Sequence, residues 1–163
     1  MGLSNDVNTI LSGTMRTARR TGVVGDLVLF APTTVPIFTI TGGDILVWAL
    51  YAKVTTVMGA GATTITLSLT CATSGTVVPI AGAGVNIASA TVEALISITG
   101  AVGVAPTLFD AAARGVGIPN LTNNQILVPG SIGMIVGGAT NAGLLEWTIV
   151  YTAMRPESQV AVV

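Results

Sequence analysis

The sequence predicts an all-β domain, an antiparallel β-sandwich or barrel of jelly-roll-like type with an extended N-terminal arm. Several segments alternate apolar and polar residues with a period of two, and Gly, Pro and Asn separate these segments at short intervals. Helical periodicity is nearly absent. Short strands at regular spacing with such turn residues between them are typical of sandwiches and barrels, and 163 residues suffice for one domain with a real core.

The most regular strand pattern lies in residues 63–71. Its odd positions from 65 onward are Ile, Leu, Leu and Cys, whereas the even positions are Thr or Ser. One apolar face at a period of two predicts a half-buried strand. Residues 92–98 and 145–151 repeat the arrangement. Shorter strands are expected at residues 24–30, 37–40, 76–80, 106–109, 125–128 and 131–136.

Turn residues set the expected connections between these strands. Gly59 and Gly61 predict a hairpin that joins the strand after Gly42-Gly43 to the strand at 63–71. A turn or so of helix is expected only near residues 5–12, 86–90 and 109–114.

The strand after Gly42-Gly43 is apolar on both faces under strict alternation. One face holds Ile45, Val47, Ala49 and Tyr51, and the other holds Leu46, Trp48, Leu50, Ala52 and Val54. A two-layer sandwich normally leaves one face to water. Covering the second face removes several hundred Å² of apolar surface from water, which at about 25 cal/mol per Å² stabilises an association by several kcal/mol. We therefore predict a subunit interface at Leu46, Trp48 and Leu50.

The two tryptophans are candidates for the core. Trp48 and Trp147 are expected inside it, and the alternative is that they anchor an interface together with Tyr51 and Tyr151.

The N-terminal region differs from the rest of the chain. Residues 1–22 lack a sustained period and contain Arg16, Arg19 and Arg20, so they are assigned to an arm, with a β domain at 23–155 and a C-terminal tail at 156–163. The arm is either a solvated terminus or an extended tail that docks on a neighbour. In the second case, the three arginines are the predicted contact with an acidic or phosphate-bearing partner.

The composition argues against catalysis and against binding of a metal or cofactor. The chain has no histidine, its seven acidic residues are scattered singly, and Cys71 is its only cysteine, so we expect no enzyme, metal site or cofactor. A net charge of −1 makes nucleic acid an unlikely partner. We also expect no membrane span and no targeting peptide, because no apolar run is long enough and the basic residues follow the apolar stretch at the N-terminus.

The phrases PIFTITGGDILVWALYAKVTTVMGAGATTITLSL, ISITG and LEWTIVYTAMRP resemble a group of small virion proteins encoded next to capsid genes in tailed bacteriophages. The similarity covers most of residues 35–154. It implies a capsid decoration (cement) or head-fibre base protein, commonly a trimer, which is assembled in the host cytoplasm and binds the major capsid protein on the surface of the virion. The resemblance carries over no catalytic residues.

The leading hypothesis is therefore a structural virion protein that stabilises the phage head through its β domain and its terminal arms. One alternative is a tail or neck component. A carbohydrate-binding β module is the alternative from another class, and it requires exposed aromatic residues along a groove.

Overall fold

A computed structural model describes residues 14–23, 33–98, 104–109, 124–139 and 142–163. These residues form twelve β-strands: β1 (Met15–Thr21), β2 (Thr33–Thr41), β3 (Ile45–Thr56), β4 (Thr63–Cys71), β5 (Val77–Pro79), β6 (Val85–Asn86), β7 (Leu95–Ser97), β8 (Thr107–Phe109), β9 (Gln125–Leu127), β10 (Gly130–Gly138), β11 (Leu144–Ala153) and β12 (Gln159–Val162). No helix occurs within the described ranges, including the segment 86–90 where a helical turn was expected. The strand expected at 24–30, the helical turn expected at 5–12 and all but the first residue of the turn expected at 109–114 lie outside them, and residue 109 itself ends a strand.

The twelve strands form two antiparallel sheets. Sheet A has the order β1-β11-β3-β7-β8, with β9 also paired to β3, and sheet B has the order β12-β2-β10-β4-β5, with β6 also paired to β4. Two separate sheets packed on each other make the domain a β-sandwich and not a closed barrel. The predicted all-β class is confirmed. Nothing in the described chain is a long apolar helix of the kind that crosses a bilayer.

The strand pairing follows the winding of a jelly roll. β4 pairs with β5, β3 with β7, β2 with β10 and β1 with β11, so that each pair encloses the previous one along the chain. Successive pairs alternate between the two sheets, which is how an eight-stranded jelly roll is built from two Greek keys. The remaining four strands extend this framework at its edges.

The predicted hairpin at Gly59–Gly61 is wrong. β3 lies in sheet A and β4 lies in sheet B, so the connection crosses from one sheet to the other. Met58 is buried in this crossing, and its amide donates a hydrogen bond to the carbonyl of Ala90. Sequence alternation shows that two segments are strands but does not show whether they pair with each other, and here the pairing partner is distant in sequence.

Both predicted terminal segments contain strands of the domain. Residues 15–21, which we assigned to the arm, pair with β11 along their whole length. Residues 159–162, which we assigned to the tail, pair with β2. The β domain therefore extends beyond the predicted boundaries at residues 23 and 155. Residues 1–13 of the predicted arm lie outside the described residues.

The core lies between the two sheets. It is formed mainly by the apolar faces of the longer strands, and its largest fully buried side chains are Trp147, Phe38, Ile37, Ile40, Ile45, Leu50, Ile65, Leu67, Ile87, Ile96 and Ile98. Alternation in β4 is as predicted, with the odd positions inside and the even positions, which are Thr or Ser, on the outer face, where Ser68 is nevertheless buried. Trp147 and Tyr151 lie in this core, whereas Trp48 does not.

The Gly42-Gly43 turn carries the chain from sheet B to sheet A. Gly42 has φ +78°, and a Cβ at this position would lie 2.0 Å from the carbonyl oxygen of Glu157. That oxygen belongs to the turn between β11 and β12, where the Arg155 amide donates a hydrogen bond to Ser158 Oγ. Two turns are thus packed backbone to backbone, which requires glycine at position 42.

Candidate assembly surfaces

A β-bulge in β3 decides which side chains face the core. Val47 pairs with Tyr151 and Ala49 pairs with Val150, so Trp48 is an additional residue with no partner of its own in β11. Side chains before the bulge point inward at odd positions, and those after it point inward at even positions. A bulge has this effect because two residues on one strand oppose one residue on the other.

The bulge explains why strict alternation gave two apolar faces. Ile45 and Val47 before it, together with Leu50, Ala52 and Val54 after it, form one continuous inward face with at most 2% exposure. The prediction that Leu50 lies at a subunit interface is therefore wrong, because this side chain is in the core. Leu46 and Trp48, the other two predicted interface residues, do lie on the outer face of sheet A.

An apolar patch crosses four strands on that outer face. Leu46 is paired with Ile126 of β9 on one side and with Thr152 of β11 on the other, and Thr152 is paired with Met15 of β1. The Trp48 indole N–H donates a 2.8 Å hydrogen bond to Thr152 Oγ1, which holds the ring across this row. We refer to Met15, Leu46, Trp48 and Ile126 as the Trp48 patch.

The Trp48 patch exposes large apolar side chains where the surface of a monomeric protein is usually polar. Met15 is 59% exposed, Ile126 is 56% exposed and Trp48 is 38% exposed. Large apolar groups in contiguous positions on a rigid sheet are typical of protein interfaces. Sequence reasoning missed Met15 and Ile126. The strand expected at 125–128 already separated Ile126 from Leu127, but only the pairing with β3 shows that Ile126 lies beside Leu46.

The opposite end of the same face is charged. Arg19 lies 3.7 Å from Glu146, and Lys53 lies 3.5 Å from Glu93. These ion pairs are largely open to solvent, so they contribute little to folding. They give the outer face of sheet A an apolar end and a charged end.

The three arginines of the predicted partner contact have different environments. Arg16 Nη1 donates to the main-chain oxygen of Ser158 at 3.0 Å, and Arg20 Nε donates to the main-chain oxygen of Val163 at 2.9 Å. Both side chains reach from β1 across the edge of the sandwich to the segment that contains β12. Arg19 is the one that faces outward from sheet A, so it is the most available of the three for an external partner.

The outer face of sheet B has the opposite character to that of sheet A. None of the strands that form sheet B contains Asp, Glu, Lys or Arg. Across its centre, Thr66 pairs with Ile135, Ser68 with Gly133 and Thr70 with Ser131. Thr34, Pro36 and Thr39 of β2 continue these rows on the other side of β10. We call this surface the sheet B face.

A small apolar groove opens between the sheets at one end. It has a volume of about 290 Å³ and is lined by Leu69, Cys71, Val78, Pro79, Ile80 and residues 125–128. Gln125 Nε2 lies 3.4 Å from the carbonyl oxygen of Ile80 and is the principal polar group of the lining. Within the described ranges, no cluster of three His, Cys, Asp or Glu side chains has the spacing of a metal site.

Comparison of this chain with known protein families, with curated proteins and with solved structures finds no match. The function is therefore inferred from the surfaces of the molecule.

Proposed function

We propose that this chain is a structural protein of a tailed-bacteriophage virion, a decoration (cement) protein that binds the major capsid protein on the head surface as a homo-oligomer, with a trimer as the expected assembly. The observation that carries the proposal is the Trp48 patch. Its apolar groups lie on three strands of one sheet, β1, β3 and β9, so the surface is already ordered before a partner arrives, and little conformational entropy is lost on binding.

The fold is compatible with this role. Jelly rolls form viral capsid domains and also lectin domains, so the fold limits the choices without deciding between them. The aromatic ring of Trp48 at the centre of the patch supplies the kind of anchor on which interface energy concentrates. Arg19 at the charged end of the same face adds a group that fits an acidic site on the capsid protein.

Binding to heads tests the proposal. Heads purified without the protein are mixed with the full chain, and co-sedimentation together with electron microscopy shows where it binds. We expect saturable binding on the outside of the head, and we expect Trp48→Asp to weaken it at least about tenfold. Thr73→Asp, an exposed position in the turn after β4 and away from the outer face of sheet A, is the matched control. Binding at the tail or neck, or none at all, would contradict the proposal.

A carbohydrate-binding module is the second candidate, because the exposed ring of Trp48 offers a surface on which a sugar can stack. Of the two tryptophans, Trp147 is 1% exposed, so a change in fluorescence on ligand addition reports mainly on Trp48. A saturable change with oligosaccharides that is lost in Trp48→Ala would favour this function. The virion proposal predicts no such change.

A further inference from the structure

We infer that the sheet B face is the surface through which the chain binds a second copy of itself about a two-fold axis, so that this contact makes a dimer, and the trimer implied by the resemblance would need a further contact. This goes beyond the proposed function, because it assigns the two outer faces of the sandwich to different partners. It rests on the composition of the face, on its shape and on the contrast with sheet A.

The absence of charge is the first argument. In a two-fold contact both copies use the same surface, so a charge near the axis faces an identical charge, and like charges facing each other cost several kcal/mol. A face without charged side chains avoids this cost, and it also avoids the desolvation of ions. Of the described charged residues that lie in strands, Arg16, Arg19, Arg20, Lys53 and Glu146 all belong to sheet A.

The shape of the face is the second argument. Its outward positions are Thr, Ser, Gly and Pro with Ile135 at the centre, so few side chains have to lose rotamer freedom on contact. Gly133 has no room for a side chain, because a Cβ there would lie 2.4 Å from Thr34 Cγ2. Ser68 and Gly133 are already buried in the free chain, so the contact falls to the side chains around them, which are the exposed Thr34 and Pro36 and the half-buried Thr39, Thr70, Ser131 and Ile135. The methyl groups of the threonines and Ile135 provide apolar contact.

The size of the face is the third argument. Strand β10 spans nine residues, which at about 3.3 Å per residue is about 30 Å. The five strands across sheet B are separated by about 4.8 Å each, giving a width of about 20 Å. Because β5 and β12 cover only three and four residues, the projected area of the face is about 500 Å². This is somewhat below the roughly 800 Å² per partner of a standard interface.

The outer face of sheet A fits a different partner. Its charged end carries the ion pairs of Arg19 with Glu146 and of Lys53 with Glu93, which a contact with a second copy would have to desolvate, and its apolar end is confined to the Trp48 patch. Use of the sheet B face for self-association leaves the Trp48 patch free for the capsid protein. One oligomer can then present several copies of the patch to the shell, which raises the avidity of attachment.

Sedimentation of the full chain tests this assignment. Ile135→Lys places a charge at the centre of the sheet B face, and Thr17→Lys places the same charge on the outer face of sheet A as the matched control. We expect Ile135→Lys to raise the dissociation constant of self-association about 100-fold or more, and the control to change it less than about threefold. Circular dichroism and thermal unfolding verify that both variants are folded.

A second variant covers the case in which Ile135→Lys fails to fold. Thr39 is half-buried on the same face, and the long stem of a lysine at this position extends toward solvent in the free chain, so Thr39→Lys should fold and show the same loss of self-association. The inference is overturned if a folded sheet B variant keeps the oligomer mass of the parent, or if the parent is a monomer at 100 µM. Head binding by the Trp48 variant is measured separately, so failure of this inference is distinguishable from failure of the proposed function.

Discussion

Replacement of Gly42 by alanine should destabilise the fold far more than the same change at Gly75. Both glycines have positive φ, +78° and +66°, so both substitutions carry the cost of a left-handed residue, about 1 kcal/mol. A Cβ at position 42 would lie 2.0 Å from the main-chain oxygen of Glu157, whereas a Cβ at position 75 has no atom within 4 Å. The difference between the two variants therefore isolates the collision between the two packed turns.

The collision involves backbone on both sides, so relief requires the two turns to separate. Forced overpacking of this kind costs about 1–3 kcal/mol, which brings the expected loss to about 3 kcal/mol for Gly42→Ala and leaves about 1 kcal/mol for Gly75→Ala. For a chain of this length, about 1 kcal/mol corresponds to a change of roughly 2–4 °C in Tm, so we expect a fall of about 6–12 °C for the first and about 2–4 °C for the second.

Thermal unfolding followed by near-ultraviolet circular dichroism measures both variants against the parent. All three proteins are compared at one concentration, because self-association makes Tm depend on concentration. Equal losses in the two variants would show that the packing of Gly42 against Glu157 contributes nothing beyond backbone conformation, and the reasoning would then be wrong.

Three further predictions test individual contacts. Chemical denaturation should show a loss of about 2–5 kcal/mol in the free energy of unfolding for Leu50→Ala and of less than about 1 kcal/mol for Leu46→Ala, since the bulge places only Leu50 in the core. Similar losses in the two variants would contradict that placement. In the same assay, Ser68→Ala should leave the free energy of unfolding unchanged or raise it, because the buried Ser68 hydroxyl makes no hydrogen bond. Thr66→Ala should lower it by about 1 kcal/mol, because the Thr66 hydroxyl donates a hydrogen bond to the carbonyl of Gly82. A large loss for Ser68→Ala would show that its hydroxyl has a hydrogen-bond partner. Arg20→Met should speed amide hydrogen exchange in β12 and leave β10 unchanged, and unaltered exchange in β12 would show that this arginine does not hold the strand.

Much of the fold could be predicted from local patterns. The alternation in residues 63–71 gave the bounds of β4, and the shorter segments around residues 77, 107, 126 and 132 are all strands in the structure. Half-buried strands leave this pattern in the sequence because one face packs on the core and the other meets solvent. The Thr and Ser positions were assigned to the outer faces, but Ser68, Ser97 and Thr148 are buried.

The features that could not be predicted depend on contacts between residues that are distant in the sequence. Nothing in the residues around Trp48 signals a bulge, so strict alternation placed Leu50 on the wrong face of β3. Arg16 and Arg20 made β1 look like a solvated arm, although their guanidinium groups bind main-chain oxygens of the opposite sheet. The Gly59–Gly61 connection has hairpin composition but joins strands of different sheets. In each case, the deciding partner is distant in the sequence.

The lack of charge in sheet B has a consequence before the chain is folded. Segments such as β4 and β10 are rich in β-formers and glycine and contain no lysine, glutamate or internal proline to interrupt cross-β stacking between nascent chains. Natural sequences usually flank such segments with charged gatekeepers, and here the protection has to come from rapid pairing with β2 and β5. The lack of charge that favours association of the folded face therefore also favours aggregation of unfolded chains. We expect the need for chaperones to be high when the protein is synthesised rapidly.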